Sequence, residues 1–506
     1  MTRLFAGSVA ATIGAAAALR YHQIGLTLSH YDARGHLIVA RRIIDSLTPG
    51  WQQIGAVWLP LPHLLNVLPV QIDAFYRSGA SAVAISVASF VLATAAIAWI
   101  VLQLSESPPA ALAAAAVFAL NPNVVYLQAT PMTEPLLLGL TTLGVALLLA
   151  WTGARSRTAS ADARAVRPRT ATVGVVLALA CLTRYEAWPV TCTALAAALW
   201  TRWRRGDSLA SSTAAVMRVA VYPTAAILAF AVFSRVVVGQ WFVSSDFFVP
   251  ENKAQGLPMI AIDEIVWGAR ALSGRIVIVI GIAGSAALLV AGVFRRRHAS
   301  ALIALSLAAT AVVPWAAFMD GHPFRIRYMV PLMAMEAVAA GVLIEFVGRV
   351  APRTVRTALA MLVVGAALYE LHPFDANAPM VLEAQWDRVN AAPRHEITRC
   401  LQSRYHGESI MASMSSLGHY MQETSREGFT LRDFLHEGNG DIWLAALNTP
   451  RLYAGWLLME EKAEGGDMLA KRARENPEFL RGFSRICEGA GVALYRRQNR
   501  IANVNR

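Results

Sequence analysis

Residues 80–104 read ASAVAISVASFVLATAAIAWIVLQL, running from Ala80 to Leu104 without one Asp, Glu, Lys or Arg. A helix rises about 1.5 Å per residue, so an uncharged run of this length is sufficient to cross the roughly 30 Å of a bilayer's hydrocarbon. Working outward, the same texture recurs at Leu4 to Leu19, Ala110 to Leu127, Leu136 to Trp151, Ala171 to Leu182, Ala187 to Trp200, Val219 to Val238, Ile276 to Phe294, Ala299 to Phe318, Val330 to Val347 and Ala358 to Leu371. The chain thus reads as a polytopic α-helical membrane protein of about eleven transmembrane helices.

Composition agrees. Of 506 residues, 56% are apolar and 15% charged, and the mean hydropathy is +0.45, outside the mix of a soluble chain. Basic residues are retained on the cytoplasmic side of short connections. The basic connections are Arg155 to Arg169, Arg202 to Arg218, Arg295 to Arg297 and Arg349 to Arg356. With eleven spans they share one side with Arg3, which predicts a plasma (inner) membrane protein with a cytoplasmic N-terminus. Joining Ala171 to Leu182 with Ala187 to Trp200 as one broken span loses that parity and is rejected. Thr2, Arg3 and the alanine run that follows also resemble a signal peptide, with Ala16, Ala17 and Ala18 as cleavage residues. Cleavage there leaves the other segments in place.

The net charge of +12 and the pI near 9.9 do not point to nucleic acid. Much of the excess lies in short connections that meet anionic membrane lipid. The opposite, external face receives the loop Tyr21 to Gly79, the corner Asn121 to Pro135, the loop Gly239 to Arg275 and the chain after Leu371. Two domains are expected: a membrane domain over 1–376 and a small external α/β domain over 377–506. In the latter, Ser409 to Ala412, Tyr453 to Met459 and Val492 to Arg496 read as strands, with helices over Leu417 to Arg426 and Met468 to Phe479. It has no glycine-rich phosphate loop, zinc-type cysteine spacing or nucleophile elbow. Its two cysteines, Cys400 and Cys487, are either a disulfide, which an external compartment permits, or two separate buried thiols.

Four polar clusters fall on that external face. In Tyr31-Asp32-Ala33-Arg34-Gly35-His36, Asp32 is either a helix N-cap or a carboxylate at a cavity mouth, with His36 one turn along. The stretch Leu37 to Leu47 reads as a helix lying along the membrane surface. In Thr133-Glu134-Pro135, Thr133 and Pro135 suit a helix start, while an ionised Glu134 at membrane depth calls for a wet cavity. Arg184-Tyr185-Glu186 is either an interfacial ion pair or part of that cavity. In Arg325-Ile326-Arg327-Tyr328, two guanidinium groups on the side poor in positive charge call for an anion, and their forks match phosphate oxygens.

Taken in order, Tyr31 to His36, Asn121-Pro122-Asn123 through Thr133-Glu134-Pro135-Leu136, Leu182 to Glu186 and Arg327-Tyr328-Met329-Val330-Pro331 resemble the GT-C superfamily of membrane glycosyltransferases that use polyprenyl-phosphate sugars. Within it, the likeness is to the branch of the protein O-mannosyltransferases and the aminoarabinose transferase of lipid A, over about residues 1–348. The resemblance implies that Asp32 occupies the family's acidic position in the first external loop and that Glu134 lies near its second. It also implies that Arg327 meets the lipid-linked phosphate. Two departures narrow it: Asp32 is followed by Ala33 where the O-mannosyltransferases carry a second acid, and the Trp-Trp-Asp-Tyr-Gly motif of oligosaccharyltransferases is absent.

The expected site therefore comprises Asp32 and Glu134 as catalytic carboxylates, with Arg327, Tyr328, Arg184, Glu186, His36 and Arg325 around the donor. The expected partners are a polyprenyl-phosphate sugar and membrane lipid; the acceptor is open. Asp32, Glu134, Glu186 and His36 are of ligand type for a divalent cation, but their spacing is no metal signature. The competing reading is a lipid-linked saccharide flippase, which predicts ionisable groups at the bilayer midplane and paired broken helices.

Overall fold

The computed structural model describes residues 1–153, 167–239, 241, 252–348, 352–386, 388–461 and 467–498. Most of the basic connection from Arg155, the first residues of the connection from Arg349, and part of the loop from Gly239 lie outside the described residues.

Among the described residues, seven helices are long and apolar enough to cross a membrane: Thr2–Gln23, Ala80–Ser105, Glu134–Trp151, Leu209–Val238, Arg275–Phe294, Ala301–Met319 and Ile326–Gly348. The expected count of about eleven is not matched by these criteria. The other four expected spans are helical but are short or carry charge. Pro108–Ala119 and Thr170–Cys181 have 12 residues each, about 18 Å at the rise of an α-helix. Ala187–Arg205 ends in Arg202, Arg204 and Arg205, and Arg353–Glu370 carries Arg353, Arg356 and Glu370.

The helices interlock through small residues. A Cβ on Gly139 would meet the Ser89 backbone oxygen at 2.9 Å, so the helix of residues 134–151 lies backbone-close to that of 80–105. Close approach of this kind replaces the hydrophobic drive that lipid removes. The described parts of the basic connections gather at one end of the bundle. Arg205 donates to the Thr152 carbonyl at 2.6 Å and Arg296 to the Arg204 carbonyl, while Arg3 sits 4.7 Å over the Trp99 ring.

At the other end the chain after Leu371 forms a small α/β unit. Its five-stranded sheet has the order β2-β1-β3-β5-β4, with β1 Ile410–Ala412, β2 Phe434–Leu435, β3 Trp456–Glu460, β4 Phe483–Gly489 and β5 Val492–Arg497. Strands β2, β1 and β3 run parallel, and β5 and β4 close the sheet as an antiparallel pair. The expected strands near 410, 456 and 492 are present, and helices span Met414–Thr424 and Met468–Glu475. Strands β2 and β4 had no sequence signal: β2 has two residues, and β4 is interrupted by charge, with Arg485 and Glu488 exposed. Cys400 and Cys487 are joined as a disulfide, their Cα atoms 6.7 Å apart and 87 residues apart in sequence.

The first half of the stretch expected to lie on the membrane surface is buried within the protein. It belongs to a helix at Tyr31–Arg42 in which His36 to Arg42 are all buried. The reason is tertiary: the helix is clamped between the bundle and the α/β unit. The Tyr31 hydroxyl donates to the Ser415 carbonyl at 2.8 Å, Arg34 pairs with Glu423 at 2.5 Å, and Leu37 and Ile38 join Tyr420, Phe434 and Trp456 in one apolar core.

Candidate active site

Helix Tyr31–Arg42 begins at His30, which adopts an extended conformation and whose ring accepts a hydrogen bond from the Asp32 amide. The N-cap is therefore His30 and not Asp32. That leaves the Asp32 carboxylate free to point at the bundle, where it forms an ion pair with Arg327. Burial alone would raise the Asp32 pKa, but the Arg327 guanidinium outweighs it and holds the carboxyl well below the usual carboxylate range.

Arg327 comes from the short turn Ile326–Met329 that opens the last of the seven long helices. On its far side lies Glu134, fully buried, with Oε1 3.9 Å from Arg327 Nε. Arg184 Nη1 stands 3.0 Å from the same oxygen, and Arg184 also grips Glu186 at 2.6 Å. The result is a row of alternating sign: Asp32, Arg327, Glu134, Arg184, Glu186. The Arg184–Glu134 contact is close but not aligned as a hydrogen bond, and both Glu134 oxygens are buried without a hydrogen-bond partner. A buried carboxylate left so is costly unless a ligand or water completes it. Thr133 starts the Glu134 helix without capping it through its side chain; its hydroxyl instead accepts from Arg184 at 3.0 Å.

Six of the eight sequence-derived residues thus meet: Asp32, Glu134, Arg184, Glu186, Arg327 and Tyr328, whose hydroxyl lies 3.4 Å from Arg327 Nη2 and 3.3 Å from His322 Nε2. Two stand aside. His36 turns from the carboxylates to His63, Nδ1 to Nε2 at 3.2 Å, and packs on Trp58 with ring centres 4.2 Å apart. Burial pushes His63 down to about 3 and His36 well below the usual histidine value, so the pair is neutral. Gly35 is what admits Trp58: a Cβ there would lie 2.8 Å from the indole. Arg325 is half-buried and stacks 5.7 Å over the Trp386 ring.

Sequence reasoning passed over His30 and Glu383. His30 Nε2 lies 3.3 Å from Glu383 Oε1 and 3.5 Å from Arg327 Nη1. Glu383 sits on helix Pro379–Ala384, which is fixed to the bundle by the Met380 amide donating to Asn123 Oδ1 at 3.0 Å. Nothing local marks Glu383, since a single acid in a charged region carries no periodicity.

The donor set does not fit a divalent cation as it stands. Among the described residues no three His, Cys, Asp or Glu side chains converge, and Asp32, Glu134 and Glu186 each face a guanidinium.

The fold and this site define a class: a polytopic helical bundle with a buried charge row at one end, capped by a small α/β unit. Solved structures share that fold. ArnT from Cupriavidus metallidurans, bound to undecaprenyl phosphate, superposes with a TM-score of 0.59 at 13% identity over 96% of this chain and 97% of its own. The archaeal oligosaccharyltransferase AglB from Archaeoglobus fulgidus, in complex with an inhibitory peptide and a dolichol-phosphate, gives 0.54 at 12% identity over 99% of this chain and 75% of its own. An Archaeoglobus fulgidus oligosaccharyltransferase structure with zinc and sulfate gives 0.52 at 13% identity, covering 90% and 67%. The expected fold, a polytopic helical bundle with a small C-terminal α/β unit, is borne out by these neighbours. No protein-family model matches the chain, and no curated protein matches it in sequence.

Proposed function

We propose that this protein is a membrane glycosyltransferase that moves a sugar from a polyprenyl-phosphate donor to a hydroxyl or amine acceptor on the external face of the inner membrane. The observation that carries the reading is the buried Asp32–Arg327 pair, backed by Glu134 and Arg184, at the bundle end opposite the basic connections. The neighbours that share the fold include one bound to undecaprenyl phosphate and one complexed with dolichol-phosphate, which supports a lipid-phosphate donor here.

The chemistry follows from the charges. The acceptor oxygen or nitrogen attacks the anomeric carbon and gives its proton to Asp32. The bond from that carbon to the phosphate oxygen breaks, and polyprenyl phosphate leaves with the electron pair. Direct displacement inverts the anomeric centre. Arg327 and Arg184 neutralise the departing phosphate in a site shielded from water, where fixed charges act strongly. Asp32 paired with Arg327 is a weak base. A donor phosphate that engages Arg327 loosens that pair and raises the proton affinity of Asp32 as the acceptor arrives. Glu134 and Glu186 keep Arg184 and Arg327 in place when the phosphate departs.

The test is to reconstitute the purified protein in nanodiscs with a panel of radiolabelled polyprenyl-phosphate sugars, and to measure transfer or slow hydrolysis. Release of sugar that is lost in Asp32→Asn is expected. Movement of intact lipid-linked saccharide across a vesicle bilayer, with no release from any donor, would overturn the enzyme reading in favour of a flippase.

A further inference from the structure

The mechanism above leaves one pair of site residues without a task. His30 Nδ1 accepts the Asp32 amide proton at 3.1 Å. A backbone amide can only donate, so Nδ1 carries the lone pair and the proton of the neutral ring sits on Nε2. Nε2 faces Glu383 at 3.3 Å and Arg327 Nη1 at 3.5 Å. With the proton on Nε2, the first contact is a hydrogen bond and the second is two donors face to face. Burial works against the charge on Glu383, but the His30 bond and the nearby Arg327 outweigh it, so the carboxylate stays ionised. An ionised acceptor at Nε2 selects one tautomer of the imidazole, as carboxylates do behind metal-bound histidines. Both side chains are largely buried, at 7% and 13% exposure, so water does not substitute readily for either.

We infer that Glu383 and His30 are a positioning pair: the carboxylate holds His30 in its Nε2–H tautomer, and the free Nδ1 then fixes the start of the helix that aims Asp32 at the acceptor. The inference rests on the glycosyltransferase reading, and it makes the chain after Leu371 a contributor to the site. In this role neither residue needs to touch substrate. Loss of the pair turns Asp32 by a fraction of its length, an error of the kind that lowers the chemical step far more than donor binding.

Four variants, assayed for sugar transfer with thermal stability measured alongside, separate the routes. Glu383→Ala leaves Nε2–H without an acceptor, and kcat should fall roughly tenfold or more with donor KM within about twofold. Glu383→Gln keeps an acceptor oxygen and should stay within about threefold of wild type. His30→Asn supplies its own cap oxygen, since Asn is as good an N-cap as Asp, and should retain most activity. In the His30→Asn background, Glu383→Ala should then add little, because the two act through one bond. If Glu383 instead acts directly on Arg327, Gln falls as far as Ala, donor KM rises, and the loss persists with His30→Asn; that pattern overturns the inference. A wild-type protein that releases sugar from no donor refutes the glycosyltransferase reading, whatever these variants do.

Discussion

Replacing Asp32 by Asn removes the proposed base and half of a buried ion pair while keeping the side chain's shape. Breaking a buried pair from one side costs about 3–5 kcal/mol when the remaining charge is stranded. Here Arg327 is not stranded: Glu134 lies 3.9 Å from its Nε, and the Tyr328 ring sits 5.1 Å from the guanidinium. The stability loss should therefore be nearer 1–2 kcal/mol, below the stranded-charge range, and it should be the same for Asp32→Ala, because His30 and not Asp32 caps the helix. Were Asp32 the cap, Ala would lose about 1 kcal/mol more than Asn. Turnover in both variants should fall by roughly 100-fold or more, the span of lost general-base catalysis. The assay is transfer from the donor that the wild type uses, with melting followed by intrinsic fluorescence in the same nanodiscs. Near-normal turnover in Asp32→Asn, with Ala clearly less stable than Asn, refutes both the base and the assignment of the cap.

Arg327→Lys should raise donor KM at least about tenfold although charge is retained, because an ammonium cannot hold carboxylate and phosphate at once as a guanidinium fork does; an unchanged KM in donor titrations counts against phosphate binding. The depressed Asp32 carboxyl makes a pH prediction: its pairing contributes stability that is fully present above the unfolded value near 3.9 and is lost as pH falls through the lower folded value. The Tm difference between wild type and Asp32→Asn should thus be flat from about pH 5 to 7 and shrink only below about pH 4. The Cys400–Cys487 bridge closes a loop of 87 residues, worth about 4.6 kcal/mol in the chain-entropy model; reductant should shift the gel mobility and lower the stability of the α/β unit. For sidedness, Asp207→Cys should react with an impermeant maleimide only after permeabilisation, and Thr430→Cys in intact cells; the reverse pattern inverts the proposed topology.

The sequence alone determined the membrane class, because an uncharged run such as residues 80–104 has no other stable environment than a bilayer or a large core. It also marked Asp32, Glu134, Arg184, Glu186 and Arg327, since charges beside apolar spans are expensive and stand out against them. The tertiary structure decided the rest. Whether Asp32 capped a helix was undecidable locally, and the fold places His30 at the cap and Arg327 opposite the carboxylate. The basic, apolar stretch after Asp32 had the pattern of a membrane-surface helix, yet contacts from residues more than 370 positions away bury it. The choice between a disulfide and two thiols was likewise a matter of distance across the folded unit. Glu383 was invisible for the same reason: its contact is with one imidazole 353 residues away, a relation that no local spacing encodes.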